Sequence, residues 1–180
     1  TLTNVTLSNN FASGSSVGGT IANNGNPIIR NSILWGNTGG EIININLGIP
    51  VVTNSIVQGG YAGTGNLDAD PLLDSWQDNG GFTQTMALGA GSPAIDAGDD
   101  ELCPATDQRG VTRPQGSGCD IGAYEYDQIL YVKLDAMGAD DGSSWDDAYT
   151  DLQSALSAAS SGDEIWVAAG TRPLGNVKTW

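Results

Sequence analysis

The sequence predicts an all-β protein built as a solenoid, a stack of coils made of short strands. The composition gives the first indication, because 26 glycines among 180 residues, with only 15% charged residues, favour many tight turns over a helical bundle. The second is a repeat near the start of the chain, whose copies are spaced by 27 and 23 residues. The third is that these copies are short, apolar and β-branched, without helical periodicity.

Each copy of the repeat begins at an asparagine. Asn4, Asn31 and Asn54 each precede a short apolar strand, which is followed by an asparagine or glycine turn. Stacking the coils places each strand about 4.8 Å from its copy, and we expect the three asparagines to form a hydrogen-bonded ladder. Further strands are predicted between the copies, at Gly19–Ile21, Pro27–Ile29 and Glu41–Ile45.

This pattern resembles the right-handed parallel β-helix of the pectate-lyase-like family. The resemblance implies coils over residues 1–62 with apolar side chains filling their interior. A β-sandwich is the alternative for a chain with many short strands. Its strands would not share an asparagine-led pattern at this spacing, so the solenoid is favoured.

The next segment resembles a second known module. Its motifs are similar to the choice-of-anchor Q domain, which follows β-helix repeats in bacterial surface proteins. The resemblance implies an extracellular, non-catalytic region at 63–127 that caps a β-helix and precedes some means of attachment, although no sorting motif follows it here. The matching stretches are Gly63–Leu73, Asp78–Leu88, Gly91–Asp99 and Asp107–Tyr126.

Two cysteines in this region, Cys103 and Cys119, close a short loop rich in turn residues. A disulfide between them would constrain the unfolded chain by about 3 kcal/mol. It would also favour an oxidising compartment, so we expect an extracellular or cell-surface protein. A pair of free buried thiols is the alternative.

The same region contains a group of five charged residues. We expect them to form a charge-assisted network that fixes a strand-poor cap, because arginines bind carboxylates with paired hydrogen bonds. The alternative is that the arginines bind an acidic glycan, which the neighbouring carboxylates disfavour. The five residues are Asp107, Arg109, Arg113, Asp120 and Glu125.

Beyond residue 127 the sequence predicts a strand, a short helix and a second strand. The strands are expected at Ile129–Leu134 and Asp163–Ala168. Thr150 and Gln153 have the spacing of a capping box at the start of the helix, which is expected to end at Ser161-Gly162. The apolar face of the helix has the usual spacing of three and four residues and consists of Leu152, Ala155, Leu156 and Ala159.

Residues 129–173 resemble the N-terminal cap of a pectate-lyase-like β-helix, in which the helix covers the open end of the first coil. We therefore expect three segments, namely coils, an anchor-like region and the start of a second β-helix at 128–180. The chain begins and ends in mid-pattern at Thr1 and Trp180, so we expect its coils to be completed by another copy or by a longer parent protein.

The acidic composition argues against several classes of partner. The chain has 21 acidic and six basic residues and no histidine, a formal net charge of −15. Nucleic acids and anionic membrane surfaces both attract basic proteins, so neither is an expected partner. The sequence also lacks an apolar run near the roughly 18 residues that a membrane helix needs.

The absence of histidine excludes catalytic triads and metal sites that depend on that residue. Polysaccharide lyases of the resembled architecture need a basic residue, and only Arg30 lies within the repeat region. Asp68 and Asp70 form a carboxylate pair of the kind glycosidases use, but their surroundings are more typical of a turn. We therefore predict a non-enzymatic protein without a cofactor, calcium aside.

A calcium ion is the one metal that the sequence suggests. Five acidic residues crowd a single loop, and calcium prefers several oxygen ligands, although the spacing matches no EF-hand. The alternative is that the last two stabilise the start of the following helix. The five are Asp135, Asp140, Asp141, Asp146 and Asp147. Separately, Asn4-Val5-Thr6 is a glycosylation signal in hosts that perform this modification.

Together these features predict a structural module of an extracellular protein or adhesin. Because a solenoid must cover its terminal coils, we expect copies to stack head to tail, with 128–180 of one copy capping the first coil of the next. The alternative is a carbohydrate-binding or polysaccharide-degrading β-helix fragment. Its candidate sugar-stacking residues are Trp35, Tyr61 and Trp76.

Overall fold

The structure, a computed structural model, describes residues 1–11, 19–45, 47–159 and 163–169. Strands dominate the regular structure of these residues, with one α-helix and one short 3₁₀ helix. The chain divides into two compact units, Thr1–Tyr126 and Asp127–Trp180. No described helix is long and apolar enough to cross a membrane. The three segments predicted from the sequence, 1–62, 63–127 and 128–180, stay a prediction.

The first unit contains three short parallel sheets. The first has the order β1-β4-β7, the second β2-β5-β8 and the third β3-β6. These strands are β1 Leu2–Thr3, β2 Thr6–Ser8, β3 Ile21–Asn23, β4 Ile28–Arg30, β5 Ile33–Trp35, β6 Ile42–Asn44, β7 Val51–Thr53 and β8 Ile56–Val57.

The predicted pairing of the three repeat copies is confirmed. Thr6 of β2 is in register with Ile33 of β5, which is in register with Ile56 of β8. The sheet containing β1 and β7 has the same offsets, because Leu2 pairs with Ile29 and Val52 follows as the next partner. Strands β1 and β7 were not predicted.

An asparagine turns the chain between the first two sheets in every copy. Asn4, Asn31 and Asn54 have positive φ angles of 50°, 47° and 46°, a conformation that asparagine tolerates better than most residues. A serine ladder supports the same corner, because the backbone N–H of Ser32 donates to the hydroxyl of Ser55 at 3.1 Å. The asparagine turn therefore repeats in all three copies, and the serine after it repeats in two.

Two apolar clusters lie on opposite faces of the sheet β2-β5-β8. Leu34 and Val57 point into the first cluster, where they meet Ile29 and Val52. Ile33 and Ile56 point the other way, because successive residues of a strand face opposite sides. The second cluster is completed by Leu88, Ala94 and Ile121.

Residues 88–126, the flanking segment, pack along the outer face of this sheet and contain few regular elements. The predicted cap over residues 63–127 stays a prediction. Residues 64–67 extend the pairing beyond β8, since Leu67 pairs with Ile56 and its N–H donates to the carbonyl of Ser55 at 2.9 Å.

The second unit contains two parallel strands, β9 Ile129–Val132 and β10 Glu164–Val167, with the helix α1 Leu152–Ala158 between them in sequence. The predicted capping box is wrong, because Asp151 and not Thr150 caps the helix. The Asp151 carboxylate accepts the N–H of Ser154 at 2.9 Å. The expected helix end at Ser161-Gly162 lies outside the described residues.

Candidate functional site

Arg113 lies at the centre of the predicted charge network, and its side chain is almost fully buried. Its Nη1 donates to the carboxylate of Glu125 and to the backbone carbonyl of Asp120, the latter at 3.1 Å. Its Nη2 donates to the carbonyl of Gly122 at 2.8 Å. A buried charge is tolerated only when it is paired and hydrogen-bonded, so Arg113 binds this part of the flanking segment together.

Asp107 and Arg109 form a second ion pair in the same cluster. The Nε of Arg109 donates to the Asp107 carboxylate at 2.8 Å, and its Nη2 donates to the carbonyl of Glu125 at 2.5 Å. The guanidinium lies 3.6 Å from the centre of the Tyr124 ring, in cation–π contact. Asp107 also accepts the N–H groups of Val111 at 3.0 Å and Glu125 at 3.1 Å.

The remaining two carboxylates are fully buried and accept backbone N–H groups. Asp120 accepts the N–H of Asp96 at 2.8 Å and that of Tyr126 at 2.5 Å. Glu125 accepts the N–H of Gln115 at 2.8 Å and that of Asp120 at 3.0 Å. The structure thus brings all five predicted residues together, and the chain itself supplies partners for their carboxylates and for both Nη atoms of Arg113, whereas Nε of Arg113 is buried without a hydrogen-bond partner among the described residues.

Burial shifts the titration of this cluster. It raises the pKa of Asp120 to about 7, because desolvation outweighs the two backbone N–H donors. It also raises the pKa of Glu125, against its N–H donors and the charge of Arg113. Desolvation likewise lowers the pKa of Arg113, which Glu125 opposes. Burial therefore favours the uncharged form of each of these groups.

The corner asparagines connect the cluster to the coils. The side chain of Asn31 accepts the N–H of Asp99 at 2.9 Å and donates to its carbonyl at 3.0 Å. The side chain of Asn4 donates to the carbonyl of Asp120 at 2.9 Å. The predicted ladder is present between Asn31 and Asn4 at 3.3 Å, whereas Asn54 lies beside Gly65.

A close backbone approach fixes the same contact. Gly122 has a φ of 106°, and a Cβ there would come within 2.8 Å of both Ile33 and Thr6. Its N–H donates to the carbonyl of Asn31 at 2.8 Å, and the next N–H, that of Ala123, donates to the Thr6 hydroxyl at 3.0 Å. Only glycine fits here without displacing the flanking segment.

Cys103 and Cys119 form a disulfide. Cys119 is fully buried, and its sulfur accepts from Nη1 of Arg113 at 3.5 Å and from the amide of Asn4 at 3.7 Å. The bond therefore belongs to the same cluster. Because Asn4 is buried in these contacts, the glycosylation signal at Asn4-Val5-Thr6 is not accessible in the folded chain.

Sequence reasoning missed two further aspartates of the cluster. Asp96 accepts the N–H groups of Ser117 and Gly118, both at 2.9 Å. Asp100 accepts the N–H of Cys119 at 2.7 Å. The signal was the acidic run beside the first cysteine, whose turn-forming residues typically accept nearby backbone N–H groups.

The three predicted stacking aromatics differ in their surroundings. Trp35 packs against the outer cluster of the sheet, and Tyr61 packs against the interior cluster. Trp76 is 62% exposed and lines a groove of about 210 Å³ together with Met86 and Gln108. Trp76 is therefore the exposed one of these three, whereas Trp35 and Tyr61 are partly buried.

The other candidate catalytic residues take part in local structure. Asp68 accepts the N–H of Gly59 at 2.9 Å, and Asp70 accepts that of Leu72 at 2.9 Å, as turn residues do. Arg30 lies in β4 with its Nε buried and without a hydrogen-bond partner among the described residues.

The acidic loop of the second unit supports its own turns. Asp147 accepts the N–H of Ala139 at 2.8 Å, and Asp140 accepts that of Thr150 at 2.8 Å. A hydrogen bond with the Ser143 side chain, followed by one from its backbone N–H, lowers the pKa of Asp141. The Asp135 carboxylate lies 3.9 Å from Nζ of Lys133. Within the described ranges, no three acidic or cysteine side chains converge as a metal ion requires.

The cluster around Arg113 is thus a set of buried ion pairs in a disulfide-bonded segment, which the side chains of Asn4 and Asn31 join to the repeat strands. Its chemistry is suited to holding backbone segments in place, because its donors and acceptors face the chain's own peptide groups. Comparisons of the chain with family models, curated proteins and solved structures find no match.

Proposed function

We propose that the chain is a non-enzymatic structural module of an extracellular or cell-surface protein, built as a right-handed parallel β-helix that stacks head to tail. The observation that carries the proposal is the register of the first unit, where the strands of the three copies pair in parallel and in order. Such a ladder adds rungs along one direction without changing its geometry, which is how repeat proteins form long, stiff elements.

The cluster around Arg113 supports a mechanical role. The side chains of Asn4 and Asn31, at two successive corners, donate to backbone carbonyls of the flanking segment. The disulfide between Cys103 and Cys119 supports an oxidising, extracellular location. Both features stiffen the coils from the side, where an active site would instead present unengaged polar groups to a substrate.

Sedimentation velocity and negative-stain electron microscopy of the full chain test this proposal. We expect the sedimentation coefficient to rise with concentration and elongated particles to appear. A compact monomer at every concentration would contradict the stacking. Depolymerisation of polygalacturonate by the purified chain would contradict the non-enzymatic assignment.

A second candidate function, carbohydrate binding, is favoured by one observation. Trp76 is exposed beside polar side chains in an open groove, and exposed aromatic rings stack on apolar faces of ligands. A glycan array tests it directly, with Trp76→Ala as the variant and Trp35→Ala as the control for a packing tryptophan. Binding that Trp76→Ala abolishes would support this function, and an array without signal would remove it.

A further inference from the structure

One carboxylate of the cluster around Arg113 has no guanidinium partner. Asp107 forms an ion pair with Arg109, and Glu125 forms one with Arg113. Arg113 hydrogen-bonds to Asp120 only at its backbone carbonyl, at 3.1 Å. Three buried carboxylates thus share two guanidinium groups, and in the described parts of the chain no cation is bonded to the side chain of Asp120.

The groups that contact the Asp120 carboxylate are polar but carry no positive charge. Its two oxygens accept the backbone N–H groups of Asp96 at 2.8 Å and Tyr126 at 2.5 Å. The side chains of Glu125 and Asp96 each add a negative charge nearby. The repeat strands reach Asp120 through Asn4, which is neutral and bonds its carbonyl.

The remaining charged groups around Asp120 do not balance its charge. Arg113 directs its charge first to Glu125, then to Asp107 and last to Asp120. From the short 3₁₀ helix, the carboxylate of Asp100 accepts the N–H of the residue before Asp120 at 2.7 Å. A buried carboxylate without a counter-charge is held most stably with a proton, because the neutral acid loses less solvation on burial.

Asp120 lies where the flanking segment meets the repeat strands. Its carbonyl accepts the side-chain amide of Asn4 at 2.9 Å. Two residues later, the N–H of Gly122 donates to the carbonyl of Asn31 at 2.8 Å. Ile121, between them, is fully buried in the outer apolar cluster of the sheet. A charge that draws Asp120 toward water therefore pulls on all of these contacts.

We infer that the flanking segment is a pH-sensitive switch, which stays closed on the repeat strands while the carboxyl group of Asp120 holds a proton and opens when that proton is lost. The proton passes to water, and the carboxylate gains the hydration that the closed segment denies it. The segment opens locally, since the ladder of the repeat has its own strand-to-strand hydrogen bonds. Opening uncovers the apolar face formed by Ile33 and Ile56. The inference goes beyond the proposed function and applies whether or not copies stack.

The pH range of the switch follows from the two states of Asp120. The closed segment raises its pKa to about 7, and opening lets this pKa return toward 3.8. Because opening releases the proton, low pH keeps the segment closed, and the open fraction rises about tenfold per pH unit between these two values. Above the higher value both states are ionised, so the open fraction levels off. The rise is about tenfold from pH 6 to pH 8 and almost nothing from pH 8 to pH 9.

Trypsin cleavage of the full chain measures the opening at a single bond of the flanking segment. Arg109 has a side chain that is 6% exposed, so cleavage after it requires the segment to open. Arg113 precedes a proline and is resistant to trypsin, and Arg30 in β4 reports on the ladder. When opening is fast, the cleavage rate follows the open fraction. Dividing each rate by that of an unfolded arginine peptide removes the pH dependence of the protease.

We expect the normalised cleavage rate at Arg109 to rise about tenfold from pH 6 to pH 8 and to change little at pH 9. At each pH, Arg109 should be cleaved at least about tenfold faster than Arg30, because the open segment leaves the ladder paired. Asp120→Asn removes the titrating group, so its cleavage at Arg109 should be nearly independent of pH. Asp100→Asn is the matched control and should keep the full rise, because Asp100 is exposed and asparagine retains an acceptor for its backbone partner.

Three results would overturn the inference. The first is a cleavage rate at Arg109 that does not change with pH, and the second is a rise that Asp120→Asn leaves intact. The third is equal cleavage at Arg109 and Arg30, which would mean that the segment opens only when the whole unit unfolds. Near-UV circular dichroism checks that each variant is folded.

If Asp120→Asn does not fold, the carboxyl ¹³C resonance of Asp120 in the wild-type chain replaces it. A titration midpoint at about pH 7 would support the switch. A midpoint at about pH 4, the ordinary value for an aspartate, would overturn it.

Discussion

Replacing Asn31 by glycine removes one of the side-chain contacts between the repeat strands and the flanking segment. The side chain of Asn31 is fully buried and makes two hydrogen bonds to the backbone of Asp99 and one to Asn4. Glycine adopts the positive φ of this position without strain. The substitution therefore tests the contact and leaves the turn intact.

Asn54→Gly is the matched control. Asn54 has nearly the same φ, 46° against 47°, and follows the same strand of the repeat. Its side chain has no hydrogen bond to residues 91–126 in the described parts of the chain. Both variants share the entropic cost of a new glycine in the unfolded state, about 0.5–1 kcal/mol.

The expected difference follows from the hydrogen bonds. Each net bond contributes about 1 kcal/mol, and a buried group left without a partner loses about 1–3 kcal/mol. We expect Asn31→Gly to lower the free energy of unfolding by about 3–4 kcal/mol and Asn54→Gly by about 1 kcal/mol.

Urea unfolding of the full chain, followed by near-UV circular dichroism, gives both values. The comparison is valid when the variants have equal m-values, because m reports the surface exposed on unfolding. Equal losses of stability in the two variants would refute the reasoning, since the contact with Asp99 would then contribute nothing.

Three further predictions concern the buried cluster. The folded pKa of Asp120, about 7, lies above its ordinary value of 3.8, so its stabilising contribution is complete below about pH 4 and is lost as pH rises through 7. It amounts to about 4 kcal/mol; Asp120→Asn should flatten the unfolding free energy measured between pH 4 and 8, and an unchanged slope would contradict this. Cys103→Ser with Cys119→Ser should lower stability by about 3 kcal/mol in urea, and an unchanged midpoint would show that the disulfide is dispensable. Arg113→Met should cost about 3–5 kcal/mol, because it leaves Glu125 buried without a counter-charge; thermal unfolding checks this, and recovery in Arg113→Met with Glu125→Gln identifies the unpaired charge as the cause.

The pairing of the repeat copies could be predicted because the sequence marks each corner. An asparagine recurs before the equivalent strand of each copy. The spacing between these asparagines gives the sequence offset between residues that pair in the sheet. Asparagine accepts the positive φ that the corner requires, so the chemistry of one residue type was sufficient. The residue that caps the start of α1 was harder to predict. Thr150 and Asp151 are both good capping residues, and they are adjacent in the sequence.

The position of the flanking segment could not be predicted from local patterns. Its contacts join residues far apart in sequence, such as Asn31 and Asp99, and it has almost no regular structure. One signal was present, however. Ile33-Leu34 and Ile56-Val57 are apolar at successive strand positions, so both faces of that sheet needed a cover.

The five charged residues could be grouped from sequence, but their partners could not. Most of the hydrogen bonds of Asp107, Asp120 and Glu125 go to backbone N–H groups. Which peptide groups come within reach depends on the path of an irregular loop, and no residue type specifies that path.

The flanking segment also contacts each of the three strand copies of the repeat in turn. It meets the first rung at Asn4, the second at Asn31 and the third at Ile56. Inserting or deleting one coil would misalign these three contacts, because each rung displaces the next by about 4.8 Å. The spacing of these contacts along the flanking segment is therefore matched to the three strand copies of the repeat.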